Sequence, residues 1–301
     1  MTAVAELSGV TKTYQGREVL HGISLSLATG STYFLVGPNG CGKTTTIETL
    51  VGLRTPTSGT ITLFGTRPDD PSLRPRIRVC LQGASLHAQV TVREHFEFLA
   101  ALYGQPASAV EATAADFGIR DLLDRRFGRL SGGQQKRVMV AGCFFGEAEL
   151  IILDEPTSGV DLESRLSLWD YLSRVMAGRP ATLLVTTHDL TEAEDYADTV
   201  IIMRDGSIAA SGTVSDLVRA SELVGVVPVP TAVLGSLPAD TAQSRHVLSR
   251  DRGTTLVGYT DAESLRRDVH ALEEAEPDRA IGVRERTPRL SDIYLHTHGN
   301  E

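Results

Sequence analysis

Residues 37–44 read Gly37-Pro38-Asn39-Gly40-Cys41-Gly42-Lys43-Thr44, and this octapeptide fits the phosphate-binding pattern G-x-x-x-x-G-K-[ST] at every fixed position. The apolar stretch Tyr33-Phe34-Leu35-Val36 before it predicts a short buried strand, and the stretch from Thr44 to Val51 predicts a helix. A phosphate loop requires this order of strand, loop and helix. The sequence therefore predicts an α/β core that binds a nucleotide.

The residue types in the phosphate loop, residues 37–44, explain how an anion would be held. Glycines at 37, 40 and 42 let successive backbone N–H groups turn toward one anion. A helix opening at Gly42 adds its unpaired N–H groups and the positive end of its dipole. Lys43 can reach the β- and γ-phosphates, and the hydroxyl of Thr44 can ligate Mg²⁺. We expect a site for a nucleotide and Mg²⁺.

Composition limits the classes of protein to consider. The chain has 301 residues, enough for one large domain or for a domain with a small appendage, and its 41% hydrophobic and 22% charged residues are typical of a soluble protein. It lacks an apolar run of about 18 residues and a signal peptide, which predicts a cytoplasmic location. A net charge of −9 makes nucleic-acid binding unexpected. Three isolated cysteines, Cys41, Cys80 and Cys143, argue against a disulfide framework or zinc site.

Alternating apolar and polar residues between positions 4 and 27 predict half-buried antiparallel strands, which would form a β-layer beside the phosphate-loop strand. Tyr14 falls in the predicted loop between two of them, where its ring could stack on adenine or pack against neighbouring side chains. Further strands are predicted at residues 60–64 and 76–82, the second of which ends at Gln82.

A helical pattern runs from Thr91 to about Leu123, and it predicts a helical insertion in the core over about residues 88–145. Near its end stands Leu130-Ser131-Gly132-Gly133-Gln134. Ser131 can cap a helix, while the two glycines allow backbone N–H groups to approach an anion closely. This segment is a candidate second phosphate contact.

Two later apolar strands end in groups suited to hydrolysis. Residues 150–153 lead into Asp154 and Glu155, and residues 181–187 lead into His188. Asp154 is expected in the Mg²⁺ shell, and Glu155 is expected to act as the general base toward the attacking water. A histidine at a strand end can hydrogen-bond the γ-phosphate and register its loss.

The ordered motifs resemble those of the ATP-binding subunit of an ABC transporter over roughly residues 4–215. The resemblance rests on the phosphate loop, the glutamine-loop residue Gln82, the signature segment 130–134, the acidic strand through Glu155, the Asp-loop around Asp161 and the switch residue His188. Val160 stands where leucine is usual, a small departure. The fold implied is a P-loop ATPase core with a mixed sheet, an antiparallel β-layer and a helical insertion.

The resemblance also implies roles for individual residues. Catalytic roles fall to Glu155, His188 and Gln82, and Mg²⁺ ligation to Thr44, Gln82 and Asp154. The implied ATP contacts are Tyr14, Gly37, Pro38, Asn39, Gly40, Cys41, Gly42, Lys43, Thr44, Thr45, Ser131, Gly132, Gly133, Gln134 and Asp161.

The same resemblance implies how the protein assembles. Two copies, or this chain and a similar one, would pair head to tail, with ATP on the phosphate loop of one capped by the signature segment of the other. The Gln82 loop and the helical insertion would pass the resulting motion to a separate multi-span permease. The chain would then lie at the inner face of the cell membrane.

Residues 221–301 are expected to form a small α+β accessory domain after an ATP-binding domain of residues 1–220. Strands are predicted at 254–259 and 280–283, with a helix at 262–275 between them.

The stretch from Thr287 to Leu295 resembles the C-terminus of ATP-binding subunits in the drug- and polyketide-exporting branch. We therefore expect an ATPase that powers export of a hydrophobic or antibiotic-like compound. The C-terminal domain could instead be a lid without transport specificity, and an importer subunit is an open alternative. A soluble ABC-type ATPase acting on DNA or ribosomes fits less well, because the chain lacks a long coiled-coil insertion and a second cassette.

Overall fold

The fold is seen in a computed structural model that describes residues 3–251, 253–275 and 285–298. Contacts within the chain divide it into two compact units, Met1–Ala209 and Ala210–Glu301. The strands through the first unit are β1 (Ala3–Tyr14), β2 (Arg17–Ala28), β3 (Thr32–Val36), β4 (Ser58–Leu63), β5 (Ile77–Cys80), β6 (Leu150–Asp154), β7 (Thr182–Thr187), β8 (Thr199–Arg204) and β9 (Ser207–Gly212). The helices of the first unit are α1 (Lys43–Leu50), α2 (Val92–Leu102), α3 (Ser108–Asp116), α4 (Gly132–Gly142), α5 (Leu162–Ala177) and α6 (Leu190–Tyr196), and α7 (Val214–Ala220) belongs to the second unit.

The core is a six-stranded sheet in the order β5-β6-β7-β3-β8-β9. The strands from β5 to β8 pair in parallel, and the two-residue connection between β8 and β9 makes that pair antiparallel. Every residue of β6 and β7 is buried, which explains their continuous apolar runs, since parallel strands are covered on both faces. The predicted mixed sheet is confirmed.

A second sheet, in the order β2-β1-β4, forms the predicted antiparallel layer. Its β1–β2 hairpin turns at Gln15 and Gly16, with φ of 49° and 83°, and two successive left-handed residues are the geometry of a tight hairpin turn. Tyr14 was predicted in a loop, and this is wrong: it is the last residue of β1 and pairs with Arg17. The hairpin turn is shorter than the sequence pattern indicated.

The helical insertion comprises α2, α3 and α4 with short turns between them. A capping box of Thr91 and Glu94 starts α2, and the helix buries Val92, Phe96 and Leu99. The helical pattern predicted from Thr91 to about Leu123 does not form one continuous helix, because it is broken after α2, where Gly104 adopts φ of 63°. Within the described residues, no helix is both long enough and apolar enough to cross a lipid bilayer.

The second unit contains the three-stranded antiparallel sheet β10-β12-β11, with β10 (Gly225–Pro230), β11 (Arg245–Asp251), β12 (Thr254–Tyr259), α8 (Ala262–Ala275) and α9 (Leu290–His298). β12 and α8 occupy the ranges predicted for a strand and a helix, whereas the strand predicted at 280–283 lies outside the described residues. The boundary expected after residue 220 differs from the contact division at Ala209, because α7 contacts α9.

Candidate nucleotide site

Three neighbouring strands bring the sequence-predicted groups to one edge of the core sheet. In the parallel register, Val36 of β3 lies beside Thr187 of β7, and Asp154 of β6 lies beside Thr186. The carboxyl ends of β3, β6 and β7 are therefore level. The phosphate loop, Glu155 and His188 follow directly from these ends, which is where open α/β sheets bind ligands.

The phosphate loop connects β3 to α1, and the Lys43 side chain folds back over the backbone of this loop. Gly40 and Gly42 have φ of 82° and 109°, which glycine adopts without strain. The side chain of Lys43 is only 6% exposed, and Nζ donates to the carbonyl oxygens of Gly37 at 2.8 Å and Pro38 at 3.3 Å. The Lys43 ammonium group is thus held against two carbonyl oxygens of the phosphate loop.

Cys41 belongs to the loop as a buried neutral thiol. Burial raises the pKa of Cys41 and outweighs the opposing effect of the nearby Lys43. A thiol nucleophile needs the thiolate form, which a raised pKa disfavours. Cys41 is a structural residue of the phosphate loop.

Thr44 and Asp154 face each other across the start of α1 and the end of β6. The Thr44 hydroxyl lies 3.1 Å from Asp154 Oδ2, and Thr186 Oγ1 donates to Asp154 Oδ1 at 2.5 Å. Among the described residues, no group of three or more His, Cys, Asp or Glu side chains could hold a metal. One hydroxyl and one carboxylate still fit Mg²⁺, which keeps several waters and takes substrate phosphate oxygens as ligands.

Glu155 occupies a special backbone position directly after β6. Its φ of 49° is unusual for a residue with a side chain, and its N–H donates to Thr186 at both the carbonyl oxygen (3.1 Å) and Oγ1 (2.9 Å). The carboxylate, 5% exposed, lies 2.7 Å from His188 Nδ1 and 3.4 Å from Lys43 Nζ. The structure therefore brings Lys43, Glu155 and His188 into one contact chain.

Gln82 does not join this chain. β5 ends at Cys80, two residues earlier than predicted, so Gln82 lies in an exposed turn where its carbonyl oxygen accepts from Lys136 Nζ at 3.3 Å. Within the described part of the chain, the Gln82 side chain makes no hydrogen bond to Asp154 or Glu155. Its predicted roles in catalysis and metal binding stay predictions.

The signature segment starts α4 as predicted, but away from the phosphate loop. Ser131 and Gln134 form a capping box, with backbone-to-side-chain bonds of 3.3 and 3.0 Å. Gly132 and Gly133 are the first two residues of the helix. No hydrogen bond within the described part of the chain joins this segment to residues 37–44.

Asp161 lies at the start of α5 and contacts its own helix. Its side chain accepts from Ser164 N at 2.9 Å, and this hydrogen bond lowers the pKa of Asp161. A Cβ placed on Gly133 would lie 2.5 Å from Ser164 Oγ, so glycine at that position permits α4 to approach α5 closely. The signature segment and the Asp-loop are therefore neighbours within one chain.

Thr45 is the third residue of α1, which begins directly after Gly42. Tyr14 lies on a different element, at the end of β1. The half-buried Tyr14 ring has Lys12 Nζ 5.1 Å from its centroid and the Arg54 guanidinium carbon 5.5 Å away. Both cations lie within the range of a cation–π contact. Stacking of Tyr14 on adenine stays a prediction.

Sequence reasoning missed Thr186, which contacts both Asp154 and the backbone of Glu155. A threonine inside an apolar strand was the available signal. Its meaning depended on knowing that β7 lies beside β6.

Comparisons with known proteins agree with this geometry. A family profile described as ABC transporter matches residues 20–158. The Nod factor export ATP-binding protein I of Burkholderia orbicola is 32% identical over 310 aligned residues, covering 99% of this chain and 98% of that protein. The daunorubicin/doxorubicin resistance ATP-binding protein DrrA of Streptomyces peucetius is 35% identical, covering 72% of this chain and 67% of that protein. A solved ATP-binding subunit of an ABC transporter superposes with a TM-score of 0.65 at 29% identity, covering 72% of this chain and 92% of that chain.

Proposed function

Because this chain belongs to the family of ABC transporter ATP-binding proteins, which bind and hydrolyse ATP to power transport, we propose that it energises export of a hydrophobic or antibiotic-like compound. The observation that carries the proposal is the convergence of Lys43, Thr44, Asp154, Glu155 and His188 at one sheet edge. Relatives named for export and for drug resistance support the direction of transport. The importer and DNA- or ribosome-acting alternatives are not favoured.

Hydrolysis is proposed to use the contact chain in a defined order. Lys43 exchanges its contacts with Glu155 and the loop carbonyl oxygens for the phosphate oxygens of ATP, since a phosphate carries more negative charge than one carboxylate. Thr44 and Asp154 would hold Mg²⁺, and the bound ion would supply charge neutralisation at the phosphate oxygens. The freed Glu155 carboxylate accepts a proton from the attacking water, and His188 keeps it oriented.

A second copy is proposed to complete each site. Ser131, Gly132, Gly133, Gln134 and Asp161 lie on segments that, within the described residues, make no hydrogen bond to the phosphate loop of their own chain, which suits contact with ATP held by another. Tyr14 is proposed to stack on the adenine ring. Lys43 and Glu155 act in one chain and the signature segment in its partner.

Gln82 is proposed to take part in catalysis as an Mg²⁺ ligand at the ATP site, and its loop is proposed to link that site to motion in the helical insertion. ABC ATP-binding subunits work with separate permease components, and we propose that this chain lies on the cytoplasmic face of the membrane through such a partner. Residues 221–301 are proposed as an accessory domain; the match to the Nod factor export protein over nearly the whole chain supports a role for them within the transporter.

The proposal is tested by capturing the Glu155→Gln variant from native membranes in ATP and Mg²⁺. Co-purification of a multi-span membrane protein without a solute-binding protein is the expected result. Ribosomal or DNA-associated proteins in place of a membrane partner would refute the transport role. Light scattering of the same purified variant tests pairing, and a monomer at saturating ATP would refute the two-copy site.

A further inference from the structure

The first turn of α5 carries an ion pair that ends beside His188. Arg165 Nη1 donates to Asp189 Oδ2 at 2.6 Å, and the two side chains are 33% and 27% exposed. Asp189 directly follows His188 and is the N-cap of α6. Partial burial weakens the screening of this pair by solvent and salt, so it restrains its partners more than a fully exposed pair would. Arg165 thereby tethers the backbone that carries His188.

Hydrogen bonds of the residues on both sides of His188 fix the backbone at this position. Asp189 Oδ1 accepts from Thr191 N at 2.9 Å, and the Asp189 N–H donates to Thr187 Oγ1 at 3.0 Å. Thr187 is a buried residue at the end of β7. His188 is thus held between two anchored neighbours while its Nδ1 lies 2.7 Å from Glu155. A shift of Asp189 would change that distance.

Besides the Arg165–Asp189 ion pair, α5 makes two further contacts, one to the signature segment and one to α6. Ser164, the residue before Arg165, is the close neighbour of Gly133 at the start of α4. One turn after Arg165, the ring of Trp169 stacks on Tyr196 of α6 with centroids 4.9 Å apart. Residues four apart share a helix face, so Arg165 and Trp169 join α5 to α6 at two levels. One helix therefore contacts both the start of α4 and the residue that follows His188.

We infer that Arg165 is a positioning residue for ATP hydrolysis, which through Asp189 holds His188 against Glu155 and ties that contact to the start of α4. This inference rests on the proposed function, because it requires Glu155 and His188 to act on ATP. Arg165 itself acts on His188 and has no role in binding nucleotide.

The first test compares two substitutions on α5. Arg165→Gln lowers kcat about tenfold, since small displacements of a catalytic group have large effects, while KM for ATP stays within about twofold because the phosphate loop is unchanged. Arg174→Gln is the matched control: Arg174 pairs with Asp170 at 2.7 Å on the same helix, with side chains 61% and 67% exposed. It retains the wild-type kcat. Circular dichroism and Tm establish that both variants fold.

A mutant cycle separates positioning from a general structural effect. Asp189→Asn keeps an oxygen to cap Thr191 but loses the charge, so its effect on kcat matches that of Arg165→Gln and the double variant is no slower than either. In a His188→Gln background, measured by single-turnover phosphate release, Arg165→Gln changes the rate less than about twofold. A loss in that background equal to the loss in the wild type would overturn the inference, as would wild-type kcat for Arg165→Gln.

A parallel measurement of Glu155→Gln distinguishes failure of the proposed hydrolytic role of Glu155 from failure of the positioning role of Arg165. Normal hydrolysis by that variant would remove the proposed role of Glu155 and with it the basis of the inference. An inactive Glu155→Gln beside a fully active Arg165→Gln would refute the positioning role alone.

Discussion

Replacing Glu155 by glutamine separates ATP binding from hydrolysis. The substitution keeps the shape of the side chain but removes a charge 3.4 Å from Lys43 Nζ, where both side chains are at most 6% exposed. At an effective dielectric constant of about 20, this attraction is about 5 kcal/mol, much of which offsets the desolvation of the two groups. If about 1.4 kcal/mol is net, releasing Lys43 to phosphate tightens the Kd for ATP about tenfold.

Hydrolysis is expected to fall by a factor of about 100 to 10,000, the usual contribution of a general base. Calorimetric titration gives Kd, and a coupled phosphate-release assay gives kcat. Glu149→Gln is the matched control, because Glu149 immediately precedes the same strand, pairs with Arg76 at 2.5 Å and is 48% exposed. Weaker ATP binding by Glu155→Gln, or a kcat equal to that of the control, would refute the reasoning.

Three further substitutions test the loop, the α4–α5 contact and the second unit. Lys43→Ala should weaken ATP binding about 10- to 100-fold, since bonds to a charged group contribute about 1.5–3 kcal/mol, and an unchanged calorimetric Kd would contradict this. Gly133→Ala should be less stable than Gly132→Ala by about 1–3 kcal/mol, because an added Cβ meets α5 at position 133 and open space at 132; equal urea midpoints would contradict it. Tyr259→Phe should cost about 1.5–3 kcal/mol at neutral pH, since the buried phenol donates to Asp268 at 2.9 Å. Burial, and after it the hydrogen bond to Asp268, raise the pKa of Tyr259. The stabilisation by the phenol is therefore complete below the unfolded pKa of about 10 and falls as the pH rises further. A difference in urea unfolding between wild type and Tyr259→Phe that stays constant at high pH would refute this.

Several features of the chain could be predicted because they depend on neighbouring residues. The phosphate loop needs particular residue types at fixed spacing, and the apolar runs of β6 and β7 follow from burial on both faces. These local patterns predicted the core, the positions of Asp154, Glu155 and His188, and the family.

Strand ends were harder to predict, because pairing between strands decides where a strand stops. Residues 76–82 have a suitable pattern throughout, yet β5 pairs with β6 only from Ile77 to Cys80, which leaves Gln82 in a turn. Tyr14 shows the opposite error, since pairing with Arg17 extends β1 through it. The partner of β5 is distant along the chain, whereas Tyr14 pairs across a two-residue turn whose bounds the alternating pattern did not define.

The sequence by itself determined which groups can bind phosphate, hold Mg²⁺ and accept a proton, since these abilities belong to residue types at fixed spacing. Only the tertiary structure decided which groups meet. The sheet order places Thr186 against Asp154 and brings Lys43 within 3.4 Å of Glu155, and helix packing brings Arg165 to Asp189. Such contacts join segments that are distant along the chain, and their partners are selected by strand order and burial, which no local pattern encodes.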